Sequence, residues 1–296
     1  KQATGGRVFY LKKQPRALAV RFLTELFSKQ RKLDSLSQSS EFLELDSRDR
    51  RLVTELVRGV LRNRKLLDYY LERLSRTALE QLDEPVLWIL RVALYQVKFL
   101  RVPDHAAVNE AVDTCRRLHK TSASGFVNAI LRSFLREQFP LPKGESAEAL
   151  AVRFSHPEWL VERFLSRYGI QQTLALLERN NEPPPPVYWV NVFKTNLPSF
   201  CRELEEDQIS YQVHTSLPNC VIVRSSGFSE HPAYLEGRCF RMDAGSQEVA
   251  YLGEYKDCRV LGDFCCAPGG KSFLIASQMG EAVRLFCCDA SFPRLK

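Results

Sequence analysis

Hydrophobic positions recur at intervals of three and four along residues 15–139, a spacing that predicts one helix after another. Pro15 suits a first helical turn, and Ala19, Phe22, Leu23, Leu26 and Phe27 then share a face. Ser47 is placed to cap a second helix, in which Leu52, Val53, Leu56, Val57, Val60 and Leu61 repeat the pattern. A third runs from about Asn63 to Leu74. Asp83 or Glu84 before Pro85 opens a fourth, whose stripe of Val86, Leu87, Ile89, Leu90, Ala93, Leu94 and Val97 is wide enough for a central, buried helix. Segments from His105 to Leu118 and from Ser122 to Gln138 complete six helices, a compact all-α bundle.

The helical pattern breaks at Phe139-Pro140-Leu141-Pro142-Lys143-Gly144, the expected domain boundary. Shorter helices are expected near Pro157 to Tyr168 and Gln171 to Asn180, and Pro183 to Pro186 reads as an extended polyproline spacer. A strand (Val187 to Val192), a helix (Leu197 to Asp207) and two strands (Ser210 to His214, Cys220 to Arg224) make a βαββ order, hence a small α+β module. Val260, Leu261 and Phe264 begin a further strand, broken at Cys265-Cys266-Ala267-Pro268-Gly269-Gly270-Lys271 before Ser272 to Met279 resumes at helical spacing. A second apolar run, Val283 to Cys288, delivers Asp289 about 20 residues beyond the turn glycines. The expected division is 1–140, 141–237 and 238–296.

That last segment has the order of a βαβ unit, in which a glycine turn brings backbone amides to a ligand and a carboxylate after the second strand reaches a ribose. The residues fit neither the dinucleotide fingerprint nor the phosphate-loop spacing. A nucleoside-cofactor turn and an ordinary connection with Asp289 as a solvated cap both remain open on this reading.

Charge sharpens the picture at the other end. Residues 1–76 hold eighteen Lys and Arg against nine Asp and Glu, while the remaining residues hold twenty-four against twenty-six, so the whole net charge of +7 arises at the N-terminus. Arg48, Arg50, Arg51, Arg58, Arg62, Arg64 and Lys65 form a cluster dense enough for phosphate contacts, or for a solvated helix face with internal ion pairs. Nine cysteines without a Cys-x-x-Cys spacing argue for reduced thiols and against a zinc knuckle, and no metal site is expected. His105 reads as a helix-start residue and Asn109 and Asn128 as buried helix-contact amides. No apolar run approaches the length that crosses a bilayer, so no membrane partner and a cytoplasmic location are expected.

Asp263 through Lys271 resembles the first motif of the RNA cytosine-5 methyltransferases of the Nol1/Nop2/Sun family, with Met242-Asp243-Ala244-Gly245-Ser246-Gln247 similar to its lead-in and Asp289, followed by Arg294-Leu295, to its ribose-binding segment. Cys266 stands where the family usually has alanine, a small change that packs. The helical stretch resembles the RNA-binding domain of the antiterminator NusB, through Asp49-Arg50-Arg51-Leu52-Val53 with Gly59-Val60-Leu61-Arg62, Leu94-Tyr95-Gln96, Val102 to Glu110, and Gly125 to Arg132. Asn180-Asn181 and Trp189-Val190-Asn191 resemble the family's small RNA-recognition-like subdomain. These resemblances imply a NusB-like bundle, an α+β module and the beginning of an α/β Rossmann-like methyltransferase domain. They imply S-adenosylmethionine at Cys265, Cys266, Ala267, Pro268, Gly269, Gly270, Lys271 and Asp289, RNA on the basic cluster, and formation of 5-methylcytosine in small-subunit ribosomal RNA by a monomer. The family's nucleophilic cysteine is expected beyond Lys296, so the chain reads as truncated, without catalytic residues and inactive alone. A non-catalytic RNA-binding protein with a vestigial methyltransferase segment is the competing expectation.

Overall fold

The computed structural model describes residues 14–225, 227–255, 258–280 and 283–295. The first thirteen residues, which carry part of the basic surplus, lie outside the described residues, as do the side chains of Asp34, Pro293 and Arg294. Two units divide at Glu182 and Pro183.

The first unit is helical: α1 (Pro15–Ser28), a short α2 (Ser40–Leu43), α3 (Ser47–Arg62), α4 (Arg64–Leu74), α5 (Glu84–Phe99), α6 (Asp104–Arg117) and α7 (Ser124–Arg136). The core centres on α5, which is buried without interruption from Val86 to Gln96; a helix apolar all round has neighbours on every side. Its two polar exceptions are paired. Arg91 clamps Asp68 of α4 through two bonds of 2.7 and 2.9 Å, and Gln96 accepts from Arg16 Nε at 2.6 Å. Buried polar groups without such partners cost several kcal/mol, about 3–5 for a broken buried ion pair.

Three local expectations shift. The cap of α3 is Asp46, whose carboxylate accepts from the Asp49 N–H at 2.7 Å, because Ser47 already has helical backbone. Phe27 is 43% exposed at the end of α1, where its ring meets only the edge of the core at Trp88, 5.0 Å away. The expected pair of helices at 157–180 forms as α9 (Glu158–Asn181), broken at Gly169, whose φ of 71° is open to glycine.

An unforeseen helix, α8 (Ala147–Arg153), packs with α9 through Leu150, Ala151, Val161 and Leu177. The corner after it holds Ser155 at φ +55°, and the Ser155 hydroxyl accepts from the Lys65 and Leu66 N–H groups at 3.0 and 3.4 Å. The start of α4, which Asn63 leaves without a side-chain cap, is thus capped from a remote segment.

In the second unit, β1 (Val187–Val190), α10 (Leu197–Glu206), β2 (Tyr211–Val213), β3 (Cys220–Val223), a short α11 (Pro232–Leu235) and β4 (Cys239–Arg241) build an antiparallel sheet of order β2-β3-β1-β4. Alternation along β1 sends Tyr188 and Val190 into a core with Phe200 and Leu204 of α10, and Val187 and Trp189 to the opposite face. That second face is also covered: α12 (Ala244–Tyr251) lies against it, and Trp189 is fully buried beside Met242, Ala250 and Leu274. Next come β5 (Val260–Asp263), α13 (Gly270–Ala276), β6 (Arg284–Cys287) and a short α14 (Phe292–Leu295). β5 and β6 pair in parallel from Val260 opposite Arg284 to Asp263 opposite Cys287, a right pairing for a βαβ unit. Cys287 and Cys288 are exposed, because among the described residues the parallel sheet has only these two strands.

Candidate functional site

The turn after β5 is held by its own polar side chains. Asp263 accepts from the Cys265 N–H at 3.1 Å and from the Ser272 hydroxyl at 2.6 Å, so one carboxylate ties the end of the strand to the first turn of α13. The Cys266 N–H donates to the Cys288 carbonyl and the Cys288 N–H to the Asp263 carbonyl, extending the parallel ladder beyond the strands. The Ala267–Pro268 peptide is cis, and Gly269 sits at φ +105°, a conformation that disfavours any side chain there.

Asp289 reaches across from the end of β6. Its Oδ2 accepts from the Ala267 N–H at 3.1 Å and its Oδ1 from the Ser291 N–H at 2.8 Å, so the acid is tied directly to the turn. Within the turn Cys266 and Ala267 are buried, Cys265 and Pro268 are exposed, and Gly269, Gly270 and Lys271 are half-buried. Burial pushes the Cys266 thiol up, and Cys287, Asp263 and Asp289 add to the shift, so it stays protonated at neutral pH. Burial likewise raises Cys115, Cys220 and Cys239. A neutral buried thiol packs and does not attack.

The seven basic residues separate into different roles. Arg48, Arg51, Arg58 and Arg62 follow each other along one stripe of α3, exposed or half-exposed. Arg50 turns away and donates to the Leu45 carbonyl at 2.8 Å, a structural bond. Arg64 lies over the Phe27 ring at 5.3 Å, and Arg64 and Lys65 line a cleft of about 570 Å³ beside α4.

Sequence reasoning missed the one acid within the stripe. Glu55 accepts from the Tyr95 hydroxyl at 2.5 Å, and the tyrosine reaches it by crossing α3 directly over Gly59, where a Cβ would lie 2.1 Å from the ring. Burial, the bond to Glu55 and its charge push the Tyr95 phenol well up, so the hydroxyl remains the donor. Both motif segments, Gly59-Val60-Leu61-Arg62 and Leu94-Tyr95-Gln96, therefore meet at one crossing, a signal readable in the sequence only as two unrelated fragments. Asn109 and Asn128, expected in the core, instead line an open polar groove with Asp113 and Arg116, because the spacing puts them on outer faces of α6 and α7. His105 is exposed at the start of α6.

Glu203, Asp207 and His231 bring potential metal-binding atoms within 4.8 Å of one another. The hydrogen bonds explain them otherwise. His231 Nδ1 accepts from the Ala233 N–H, which leaves the proton on Nε2 and directed at Asp207, 3.0 Å away, while Arg238 pairs with Glu203 at 3.0 Å.

The sequence profile of the NusB family matches residues 13–136, and that of the RsmF/B-like methyltransferase ferredoxin-like domain matches residues 156–227. A NusB-like helical domain followed by this ferredoxin-like module defines the class. The chain is 32% identical to the ribosomal RNA small subunit methyltransferase B of Pseudomonas putida over 95% of its own length and 64% of that protein. It is also 32% identical to a probable ribosomal RNA small subunit methyltransferase B of Bacillus subtilis, over 80% of its length and 53% of that relative. The chain is similar to these methyltransferase B proteins over most of its own length, and it spans between half and two thirds of theirs. A crystal structure of PH0851 shares the fold, with a TM-score of 0.73 at 20% identity over 95% of this chain and 65% of that one. Among the described residues, no helix is long and apolar enough to cross a membrane.

Proposed function

We propose that this chain is the RNA-binding and first cofactor-binding portion of an S-adenosylmethionine-dependent methyltransferase that forms 5-methylcytosine in small-subunit ribosomal RNA. The observation that carries the cofactor reading is the bond from the Ala267 N–H to Asp289, which holds the carboxylate against the glycine turn. The donor set suits a nucleoside with an aminoacyl tail. Asp289 suits ribose hydroxyls, Gly269 contributes no side chain that would cover the amides following it, and Lys271, in the first turn of α13, suits a carboxylate. When bound, the cofactor supplies a methyl group on a sulfonium centre. Cys265 through Lys271 and Asp289 hold it, and segment 238–296 belongs to a Rossmann-like domain. None of the described cysteines is assigned as nucleophile.

RNA binds the other unit. The stripe of Arg48, Arg51, Arg58 and Arg62, with Arg64 and Lys65 beside it, supplies the phosphate contacts, and Arg50 is withdrawn from the set by its bond to Leu45. Titration calorimetry with S-adenosylhomocysteine tests the enzyme reading. Binding should weaken at least about tenfold on Asp289→Ala, from loss of charge-assisted hydrogen bonds worth roughly 1.5–3 kcal/mol. Equal affinity in the two proteins removes Asp289 from the site, and RNA affinity without any cofactor binding would favour a non-catalytic RNA-binding protein.

A further inference from the structure

The cleft beside α4 lies at the end of the basic stripe: Arg62 closes α3, and Arg64 and Lys65 open α4 and line the cleft. Its volume, about 570 Å³, falls within the range of pockets that take small ligands. The charges at its mouth do not cancel. Asp68 is consumed by Arg91, and among the described residues Arg64 and Lys65 have no carboxylate partner, leaving two cations against the exposed Glu72. At the same mouth the half-exposed Phe27 ring and the Arg64 guanidinium meet at 5.3 Å, a π face and a planar cation side by side.

The remaining walls are fixed. Tyr69 is only 9% exposed against 43% for Phe27, has the Arg73 guanidinium 3.3 Å from its ring centroid and donates its hydroxyl to the Pro140 carbonyl at 2.8 Å, so it is a wall and not a stacking surface. His156 is buried, with Nδ1 2.7 Å from the Phe154 carbonyl and Nε2 3.3 Å from the Asn180 amide. Ser155 holds the α8–α9 corner against α4 through the remote cap. The cleft is thus preformed, with its variable chemistry confined to Phe27, Arg64, Lys65 and Glu72.

We propose that this cleft receives one unstacked nucleotide of RNA, its base on Phe27, its phosphate between Arg64 and Lys65, and an exocyclic amine toward Glu72. Phosphate and base need opposite partners, and the cleft offers both. An acidic peptide would satisfy the two cations but would meet Glu72 and find no use for the ring. The assignment rests on the RNA-binding reading above and adds to it a preference for unpaired over paired RNA, because base stacking on a protein ring requires a base out of the helix.

Fluorescence anisotropy with two labelled hairpins, identical except for one bulged adenosine, tests it. The chain should bind the bulged hairpin more tightly, and Phe27→Ala should cost that hairpin about fivefold to hundredfold while sparing the paired one. Phe27→Leu keeps an apolar contact for Trp88 without a π face and should also lose the preference, which separates stacking from misfolding. Equal binding of both hairpins, or a preference that survives Phe27→Leu, overturns the inference alone. Binding of neither hairpin overturns the RNA reading with it. Adenosine monophosphate that competes at concentrations equal to the hairpin would assign the cleft to a free nucleotide, and an acidic peptide that displaces RNA would assign it to a protein partner; either result overturns the proposal.

Discussion

Gly59→Ala places a methyl group at the most crowded crossing of the helical unit. The added carbon would stand 2.1 Å from Cζ and Oη of Tyr95 and 2.6 Å from Cε1, all side-chain atoms of a ring that is 4% exposed and stacked on Phe99 at 5.1 Å. On propensity alone the change favours α3 by about 1 kcal/mol, since glycine in a helix interior gives up more backbone freedom than alanine. Against this stands overpacking of about 1–3 kcal/mol as the ring is driven aside. Movement of the ring also stretches the 2.5 Å bond to Glu55, a hydrogen bond to a charged group worth roughly 1.5–3 kcal/mol. The net expectation is a loss of about 1.5–5 kcal/mol, read as a lower urea midpoint at unchanged slope in the helical circular dichroism signal. A double-mutant cycle isolates the cause. With Tyr95→Leu already in place, Gly59→Ala should become neutral or stabilising by about 1 kcal/mol. If Gly59→Ala stabilises the otherwise unaltered chain, the ring does not occupy the space above Gly59 and the explanation for the paired motifs fails.

Replacing Arg48, Arg51, Arg58 and Arg62 together by glutamine should weaken RNA binding and flatten its salt dependence, by roughly 0.7–0.9 in log–log slope for each phosphate contact removed. Arg50→Gln should leave that slope alone and lower thermal stability instead, through its bond to Leu45; a slope that ignores the stripe would mark it as a solvated surface. In the second unit, burial raises the Cys220 thiol from 9.0 to about 11 and the Cys239 thiol from 9.0 to about 12. Both thiols bind a proton more tightly when folded. Their contribution is therefore fully present below about pH 9 and is lost as pH rises through about 11 and 12. The urea midpoint should fall above pH 9, and less steeply in Cys239→Ala, whereas identical slopes would show that the thiol is not protected.

Elements with strong periodicity were legible because burial dictates them: α5 is central as its wide stripe requires, and Pro15 and Pro85 sit in first helical turns. Features that depend on a second segment were not. Ser155 caps α4 across 90 residues, and nothing local to either segment announces it. α8 is seven residues, too short for a stripe to stand out, and β4 is three, recognisable only beside β1. Asn109 and Asn128 were misplaced because an amide inside an apolar pattern reads the same whether it seals a contact or lines a groove. For the turn, the sequence supplied residue types and order, and the structure added the relation between them, since the distance from Ala267 to Asp289 depends on how β5 and β6 register.

The helix between β5 and β6 is anchored on the ferredoxin-like sheet. A four-stranded sheet with one open face would be suited to stacking bases, but here α10 covers one face and α12 the other, and Trp189 is fully buried. Its ring stacks with Phe240 at 6.0 Å, Phe240 meets Phe273 of α13 at 5.2 Å, and Leu274 of the same helix packs in the Trp189 cluster. Met242, at the end of β4, lies under Gly270, with its sulfur 3.6 Å from where a Cβ would be. The side chains that would stack on RNA in an open sheet are spent instead on gripping α13, whose first residue is part of the glycine turn. The packing of β1 and β4 therefore bears directly on Gly270 through Trp189 and Met242, and the small module supports the glycine turn from the side of α13.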